Sequence, residues 1–298
     1  MFFSLLLEFL KQRQIQFLLD VKTADLVSFK IGGLGKIAVF PKNIGEFVSL
    51  INFVKKEKHV IIGNGTNCFF SNEFYDGIII VTKNLNKARV SDNAIIAECG
   101  ASVSRLCNAA LEMSLSGLEF AYGIPGSIGG AVYMNASAFG GEFSQLVHKS
   151  TVLDTESGDV ISLNNKEHCF GEKFSVFKKN RFIILESELL LQKSDKTLIH
   201  SKMNEYISKR KRTQPLDMPS AGSVFVKPKC GYASYMIDKA GLKGYTVGGA
   251  QVSKKHAGFI VNINNASAMD VQELIKVIKS RVFDEFSVEL KEEIIYIE

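Results

Sequence analysis

Apolar residues recur along this 298-residue chain in short blocks whose period switches between that of a helix and that of a strand. The opening MFFSLLLEFLKQRQ predicts an amphipathic helix rather than a signal peptide, because Glu8 interrupts its apolar run and neither a basic leader nor a small-residue cleavage site accompanies it. Phe29 to Phe40 predicts two short strands meeting at Gly32-Gly33, with Pro41 closing the second. Asn43 and Glu46 then make a capping-box pattern ahead of Phe47, Leu50, Ile51 and Val54 at helical spacing. Strands at Val60 to Ile62 and Gly77 to Thr82 complete a first lobe over residues 1–83.

Residues 84–197 predict a second lobe, rich in strands. A strand at Ala94 to Ala97 leads into a helix capped by Ser102, its Val103, Leu106, Ala110 and Leu111 facing inward and Gly117 as its stop. Thr151 to Leu163 predicts a hairpin turning at Glu156-Ser157-Gly158-Asp159, and Arg181 to Gln192 a long strand. A helix over Leu198 to Arg212 ends in Lys209-Arg210-Lys211-Arg212, and with Pro215 and Pro219 it opens a third lobe, residues 198–298. There the pattern predicts a helix from Ala233 to Ala240 stopped by Gly241, a strand at Phe259 to Val261, and a final strand from Glu293 to Ile297. A long helix between the strands is capped by Ser267, with Val271, Leu274, Ile275, Ile278 and Val282 as its buried stripe. The fold class is α+β.

Composition adds limits rather than identity. With 46% apolar residues the chain can build real cores, so disorder is not expected. Lys+Arg 36 against Asp+Glu 31 leaves a net charge of +5, which suits an anionic small ligand better than a nucleic-acid wrapper. Five widely spaced cysteines without a CxxC pair argue against a disulfide framework and a zinc site and suit a reducing cytoplasm; no metal is expected. No segment offers the roughly 18 uninterrupted apolar residues of a membrane span.

The chemistry-bearing stretches are few. Gly117 to Glu142 is dense in glycine and nearly uncharged, which fits either close approach to a ligand or a tight crossover in a core. Gly63-Asn64-Gly65-Thr66-Asn67 follows a strand, so its successive N–H groups suit a pyrophosphate, although it also reads as a plain turn and does not match the dinucleotide fingerprint. Pro219-Ser220-Ala221-Gly222-Ser223-Val224-Phe225 puts a hydroxyl in a small-residue loop, as nucleophile, proton donor or bystander, and it is not a GxSxG elbow. Lys209 to Arg212 reads as a solvated helix end, a phosphate clamp or, least well, an RNA contact. His256, behind Gly248-Gly249-Ala250-Gln251, reads first as a hydrogen-bonded structural residue, and Glu292-Glu293 as a solvated edge.

Together GLEFAYGIPGSIGGAVYMNA, PSAGSVF and AGLKGYTVGGAQVSKKHAGFIVN resemble the UDP-N-acetylenolpyruvoylglucosamine reductases, flavoenzymes of peptidoglycan precursor synthesis, and the resemblance spans Phe29 to Ile297. It implies an FAD-binding unit of two lobes, of the vanillyl-alcohol-oxidase type, with a C-terminal α+β lobe for substrate, and the shorter subgroup that lacks a tyrosine-bearing insertion. FAD would be held by Gly63, Asn64, Gly65, Thr66 and Asn67 and by Gly123, Ile124, Pro125, Gly126, Ser127, Gly129 and Gly130, with Gly32, Gly33 and Asn135 in support. NADPH would reduce the flavin, and the UDP-linked enolpyruvyl ether would then be reduced. Ser223 matches the family's proton donor and Glu293 its catalytic glutamate.

One catalytic position departs from the family, and so does its neighbour. Where relatives carry Tyr-Arg, this chain has Glu172-Lys173, so Lys173 stands at the arginine's place with the cation but without the planar fork. Arg212 and Lys227, beside the Ser223 loop, are candidate contacts for the UDP pyrophosphate, with Gln251 and His256 as further substrate-side candidates. The resemblance implies a cytoplasmic monomer with small-molecule partners, free of nucleic acid and membrane. The alternative is a catalytically degenerate FAD- and UDP-sugar-binding regulator.

Overall fold

The computed structural model describes residues 2–298, and the chain folds into two compact units with a hydrophobic core each. The first comprises Met1–Leu19, Ile37–Asn64 and Gly77–Ser208; the second comprises Asp20–Lys36, Gly65–Asp76 and Lys209–Glu298. Among the described residues no helix is long and apolar enough to cross a membrane, and no cluster of His, Cys, Asp and Glu is gathered as for a metal. All five cysteines are free, and burial pushes the thiols of Cys68 and Cys99 up to about 12, so both are inert packing groups.

In the first unit the helix Phe2–Gln12 buries Leu6 and Leu10 on the face its pattern predicts. The helix Ile44–Val54 buries Phe47, Leu50, Ile51 and Val54. Asn43 caps it by accepting from the Glu46 N–H at 2.9 Å, while the Glu46 carboxylate reaches back to the Lys42 N–H, one residue beyond the predicted capping box. His59–Ile62 pairs in parallel with Phe74–Val81 and ends at Gly63. A five-stranded antiparallel sheet follows, ordered Val160–Asn164, Val147–Asp154, Phe182–Leu190, Ala94–Glu98, Ala88–Ser91, and the short helix Ile128–Tyr133 packs on it.

The helix Val103–Glu112 stops earlier than Gly117 predicts, because Ser114 already takes a left-handed conformation at φ 55°. Its stripe includes Cys107, Leu111 is only half-buried, and the Ser102 hydroxyl makes no cap bond.

In the second unit the order of the antiparallel sheet is Ser220–Ser223, Phe259–Asn262, Ala250–Val252, Thr246–Val247, and the helix Ala268–Phe286 packs on its edge and on the helix Ala233–Lys239. Val271, Leu274, Ile275, Ile278 and Val282 are buried as the stripe requires, each contributing roughly 1.5–3 kcal/mol. Ser267 and Asp270 form a full capping box, and the Asp270 carboxylate also takes the Gly249 N–H at 3.1 Å, so these backbone donors hold its pKa below the usual range. A Cβ on Gly248 would meet that carboxylate at 2.3 Å, which assigns the Gly248-Gly249 pair to capping this helix. Ile295–Ile297 pairs in parallel with Cys68–Phe70.

Phe29 to Ile31 is not the strand that its apolar content predicts. Lys30 is left-handed at φ 57°, and the carbonyls of Phe29 and Lys30 accept from the Asn262 side chain, whose donors replace a strand partner.

Candidate functional site

The first unit supplies a row of backbone donors. A Cβ on Gly63 would lie 2.2 Å from the Ser127 hydroxyl, so glycine is what lets the end of His59–Ile62 touch the turn Pro125–Ser127. Asn64 fastens that contact, its Nδ2 donating to the Pro125 carbonyl at 2.8 Å. Ser127 caps Ile128–Tyr133 by accepting from the Gly130 N–H at 3.3 Å, and Gly129 donates to the Cys99 carbonyl at 2.8 Å from a position where a Cβ would clash with Cys99. The N–H groups of Gly63, Asn64, Gly126 and Ser127, brought near one another by these contacts, have no hydrogen-bond partner among the described residues. Gly123 turns the chain into this cradle at φ 84°.

The other end of the same six-residue helix, about 9 Å along its axis, carries the Lys173 turn. Gly171 and Phe174 exchange both backbone hydrogen bonds, at 3.0 and 3.2 Å, around Glu172 and Lys173. The Ser175 hydroxyl donates to the Tyr133 carbonyl at 2.7 Å, and the Asn135 Nδ2 donates to the Gly171 carbonyl at 3.0 Å. Asn135 Oδ1 meanwhile accepts from the Ser144 N–H at 2.9 Å, so both ends of this side chain serve the turn and its neighbours. Glu172 is exposed and Lys173 half-buried.

The second unit brings Ser223 and Glu293 together. Gly222 adopts φ 78° at a register shift in Ser220–Ser223, where an added Cβ would meet only the Thr66 carbonyl oxygen at 3.9 Å; the backbone twist, not crowding, demands glycine there. Just beyond it the Val224 carbonyl accepts from the Glu293 N–H at 2.7 Å, and Phe225 bridges Glu292. Asn67 joins the same group, its Nδ2 donating to the Glu293 carbonyl at 3.1 Å and its own carbonyl accepting from Ile295. Glu292, by contrast, pairs with Lys279 at 3.0 Å, a structural use of the first of the two glutamates.

Several other predicted residues of the second unit also make contacts within the fold. A Cβ on Gly33 would overlap the Glu73 carbonyl at 1.9 Å, one on Gly32 the Thr23 hydroxyl at 2.2 Å, and one on Gly65 the Leu26 carbonyl at 2.4 Å. Gln251 donates to the Thr246 hydroxyl at 2.9 Å. His256 accepts the Gly258 N–H on Nδ1 at 3.1 Å, and burial, with the Lys243 cation second, holds its pKa down. Lys227 lies over the Tyr232 ring at 4.6 Å, and Arg212 is exposed in the last turn of Lys196–Thr213. In the basic run Arg210 is buried rather than solvated, which splits a stretch that reads as uniform in sequence. Ser28 carried no signal, yet its hydroxyl donates to the Ser220 carbonyl at 2.7 Å and lies 3.3 Å from the Gly65 carbonyl, tying two candidate loops together.

The cradle is testable by itself. Gly63→Val removes the gap that seats Ser127, and the purified variant is expected to retain less than about a tenth of the parent's flavin, a loss of roughly 1.4 kcal/mol or more in binding. An unchanged flavin-to-protein ratio would rule the cradle out.

Residues 214–297 match the family profile described as UDP-N-acetylenolpyruvoylglucosamine reductase, C-terminal domain, and residues 36–164 match an FAD binding domain. The UDP-N-acetylenolpyruvoylglucosamine reductase of Caldicellulosiruptor bescii is 39% identical over 293 residues, covering 97% of this chain and 93% of the relative. The reductase of the same name from Caldanaerobacter subterraneus subsp. tengcongensis is 43% identical over 269 residues, covering 90% and 89%. The crystal structure of the UDP-N-acetylenolpyruvylglucosamine reductase from Thermus caldophilus matches 95% of this chain and 99% of its own with a TM-score of 0.80 at 28% identity. These likenesses show that the chain belongs to the UDP-N-acetylenolpyruvoylglucosamine reductase family.

Proposed function

We infer that this chain reduces the enolpyruvyl group of UDP-N-acetylglucosamine-enolpyruvate to give UDP-N-acetylmuramate in peptidoglycan precursor synthesis, with NADPH as the electron source and FAD as resident carrier. FAD fits the residues present. Four backbone N–H groups without a partner, at Gly63, Asn64, Gly126 and Ser127, suit a pyrophosphate, and Gly130 leaves open space with only the Ser127 hydroxyl 3.4 Å from an added Cβ. When bound, the flavin supplies two-electron carriage between NADPH and the alkene, which no amino-acid side chain provides.

The observation that carries the reading is the backbone link from Glu293 to Val224, which sets a carboxyl-bearing residue beside the hydroxyl-bearing Ser223. Reduction of an enolpyruvyl ether needs a proton at one alkene carbon and a way to hold the charge that builds on the carboxylate side. In this proposal Ser223 gives the proton, Glu293 assists across the developing charge, and the Lys173 ammonium supplies the cation for the carboxylate side. Arg212 and Lys227 hold the UDP pyrophosphate, with Gln251 and His256 on the sugar side. The same reading divides the chain into lobes 1–83, 84–197 and 198–298 and takes the protein as a cytoplasmic monomer whose partners are small molecules, not nucleic acid or membrane.

The test is spectroscopic. The purified protein should be yellow, be bleached by NADPH without oxygen, and recover its colour on adding the UDP-enolpyruvyl sugar. A protein that is bleached but never recovers would be the degenerate regulator, and one that cannot be reconstituted with FAD would sink the reading altogether.

A further inference from the structure

We propose that His168 is a positioning residue for Lys173, clamping the turn that carries it through a buried hydrogen-bond relay from Ser187 through Ser150 to the imidazole and on to the Asn164 carbonyl. The proposal rests on the assignment of Lys173 to catalysis, and its test is built to separate the two.

His168, Ser150 and Ser187 are at most 1% exposed, and no apolar core requires three polar side chains at such depth. They are joined in a line. His168 Nδ1 lies 2.6 Å from the Asn164 carbonyl, Nε2 lies 2.9 Å from the Ser150 hydroxyl, and that hydroxyl lies 3.0 Å from Ser187. A carbonyl can only accept, so Nδ1 carries the proton of the neutral ring and Nε2 accepts from Ser150, which in turn accepts from Ser187. Both serines are register partners in adjacent strands, Val147–Asp154 and Phe182–Leu190, so the relay anchors the imidazole to the middle of the sheet.

The ring is equally well tied to the segment that follows it. It stacks on Phe170 with centroids 5.0 Å apart and planes at 0°, and meets Phe177 edge-on at 5.3 Å. Phe170 and Phe177 bracket the Gly171–Phe174 turn, so one side chain grips both ends of the loop that presents Lys173. The segment needs such a grip. Cys169, Lys173 and Asn180 all adopt left-handed backbone conformations, at φ 48°, 52° and 60°, and non-glycine residues hold these only where the surroundings over-determine them. A phenyl ring at 168 keeps an aromatic plane, slightly larger than the imidazole, but would leave the serines without their acceptor, whereas a fully satisfied polar chain fixes one arrangement.

The experiment is a double-mutant cycle on the FAD-loaded full chain, His168→Phe against Lys173→Ala, read as turnover of the UDP-enolpyruvyl sugar. His168→Phe alone should lower kcat about tenfold. In the Lys173→Ala background it should lower kcat by less than about twofold, because the group it positions is gone. On the flavin-free protein, tryptic cleavage after Lys173 should accelerate about tenfold in His168→Phe, with cleavage after Lys239 unchanged. Should His168→Phe fail to fold, Ser150→Ala removes the donor to Nε2, keeps the ring, and runs the same cycle. Equal losses in both backgrounds, or full activity in His168→Phe when Lys173→Ala is impaired, would overturn the positioning role. Full activity in Lys173→Ala would instead remove the catalytic assignment, and this proposal with it.

Discussion

Replacing Ser223 by alanine is expected to lower turnover of the UDP-enolpyruvyl sugar by about 10²–10⁴-fold, the usual worth of a positioned proton donor. The rate at which NADPH bleaches the bound flavin should not change, because only the second half of the reaction needs this proton. Stability should barely move, since the hydroxyl enters no hydrogen bond among the described residues and the backbone twist beside it is set by Gly222 at φ 78°. Glu293→Gln is expected to slow the same half-reaction. The double variant should be little worse than the poorer single one, because groups that act as a unit do not add. Glu293 is set next to Ser223 by backbone contacts, among them its N–H to the carbonyl of the following residue, Val224, at 2.7 Å. A Ser223→Ala protein with parental turnover would remove the serine from the mechanism.

Acid should weaken the fold through the two half-hidden or buried histidines. Burial holds the pKa of His168 below the ordinary 6.5, with its hydrogen bond to the Asn164 backbone and, more weakly, Glu167 pulling the other way, and His256 is shifted in the same direction. Below that ordinary value the unfolded chain takes up protons that the native state refuses. Stability therefore is whole above about pH 6.5 and falls as the pH drops through it towards the lower native values. Urea unfolding at neutral and mildly acid pH should show this slope, and His168→Phe should flatten it; a slope unaltered in that variant would exclude the His168 share.

What could be read from the sequence and what could not divides along physical lines. Periodic apolar positions gave the helices almost residue for residue, as in the stripe Val271 to Val282, because burial on one face leaves a pattern in the chain. Phe29 to Ile31 misled because its apolar residues are buried without forming a strand, and the Asn262 donors that satisfy its carbonyls lie more than two hundred residues away. The glycines were visible but not their reasons. At Gly33, Gly63, Gly65 and Gly129 the missing Cβ admits the protein's own atoms, so the ligand signal lies in the N–H groups this packing leaves unpaired rather than in glycine density itself. Ser28 and the Val224 carbonyl organise the candidate site through backbone contacts, and such contacts leave no mark on residue type.

Lys173→Ala should cost about 10²–10³-fold in turnover, comparable to removing one preorganised donor from a developing negative charge. The comparison that interprets this loss is Lys173→Arg, which keeps the cation and restores a fork able to meet a carboxylate with two parallel bonds. Its turnover should stay within about tenfold of the parent, since charge rather than fork carries most of the effect at a site where the turn itself is fixed. That fixity is visible. The turn is closed by two backbone bonds, anchored to Tyr133 and Asn135, and strained at Lys173 itself, where φ is 52°. Contacts that hold the turn fix the backbone from which Lys173 projects, so in the proposed role the turn itself needs little reorganisation at the moment of reaction. The neighbouring Glu172 is exposed, and at that surface its charge acts on Lys173 through solvent, so Glu172→Gln should change turnover by no more than about twofold at physiological salt. If Lys173→Ala kept full turnover while Lys173→Arg lost it, the turn would be shaping the site by volume rather than by charge, and the cationic role assigned to Lys173 would fall.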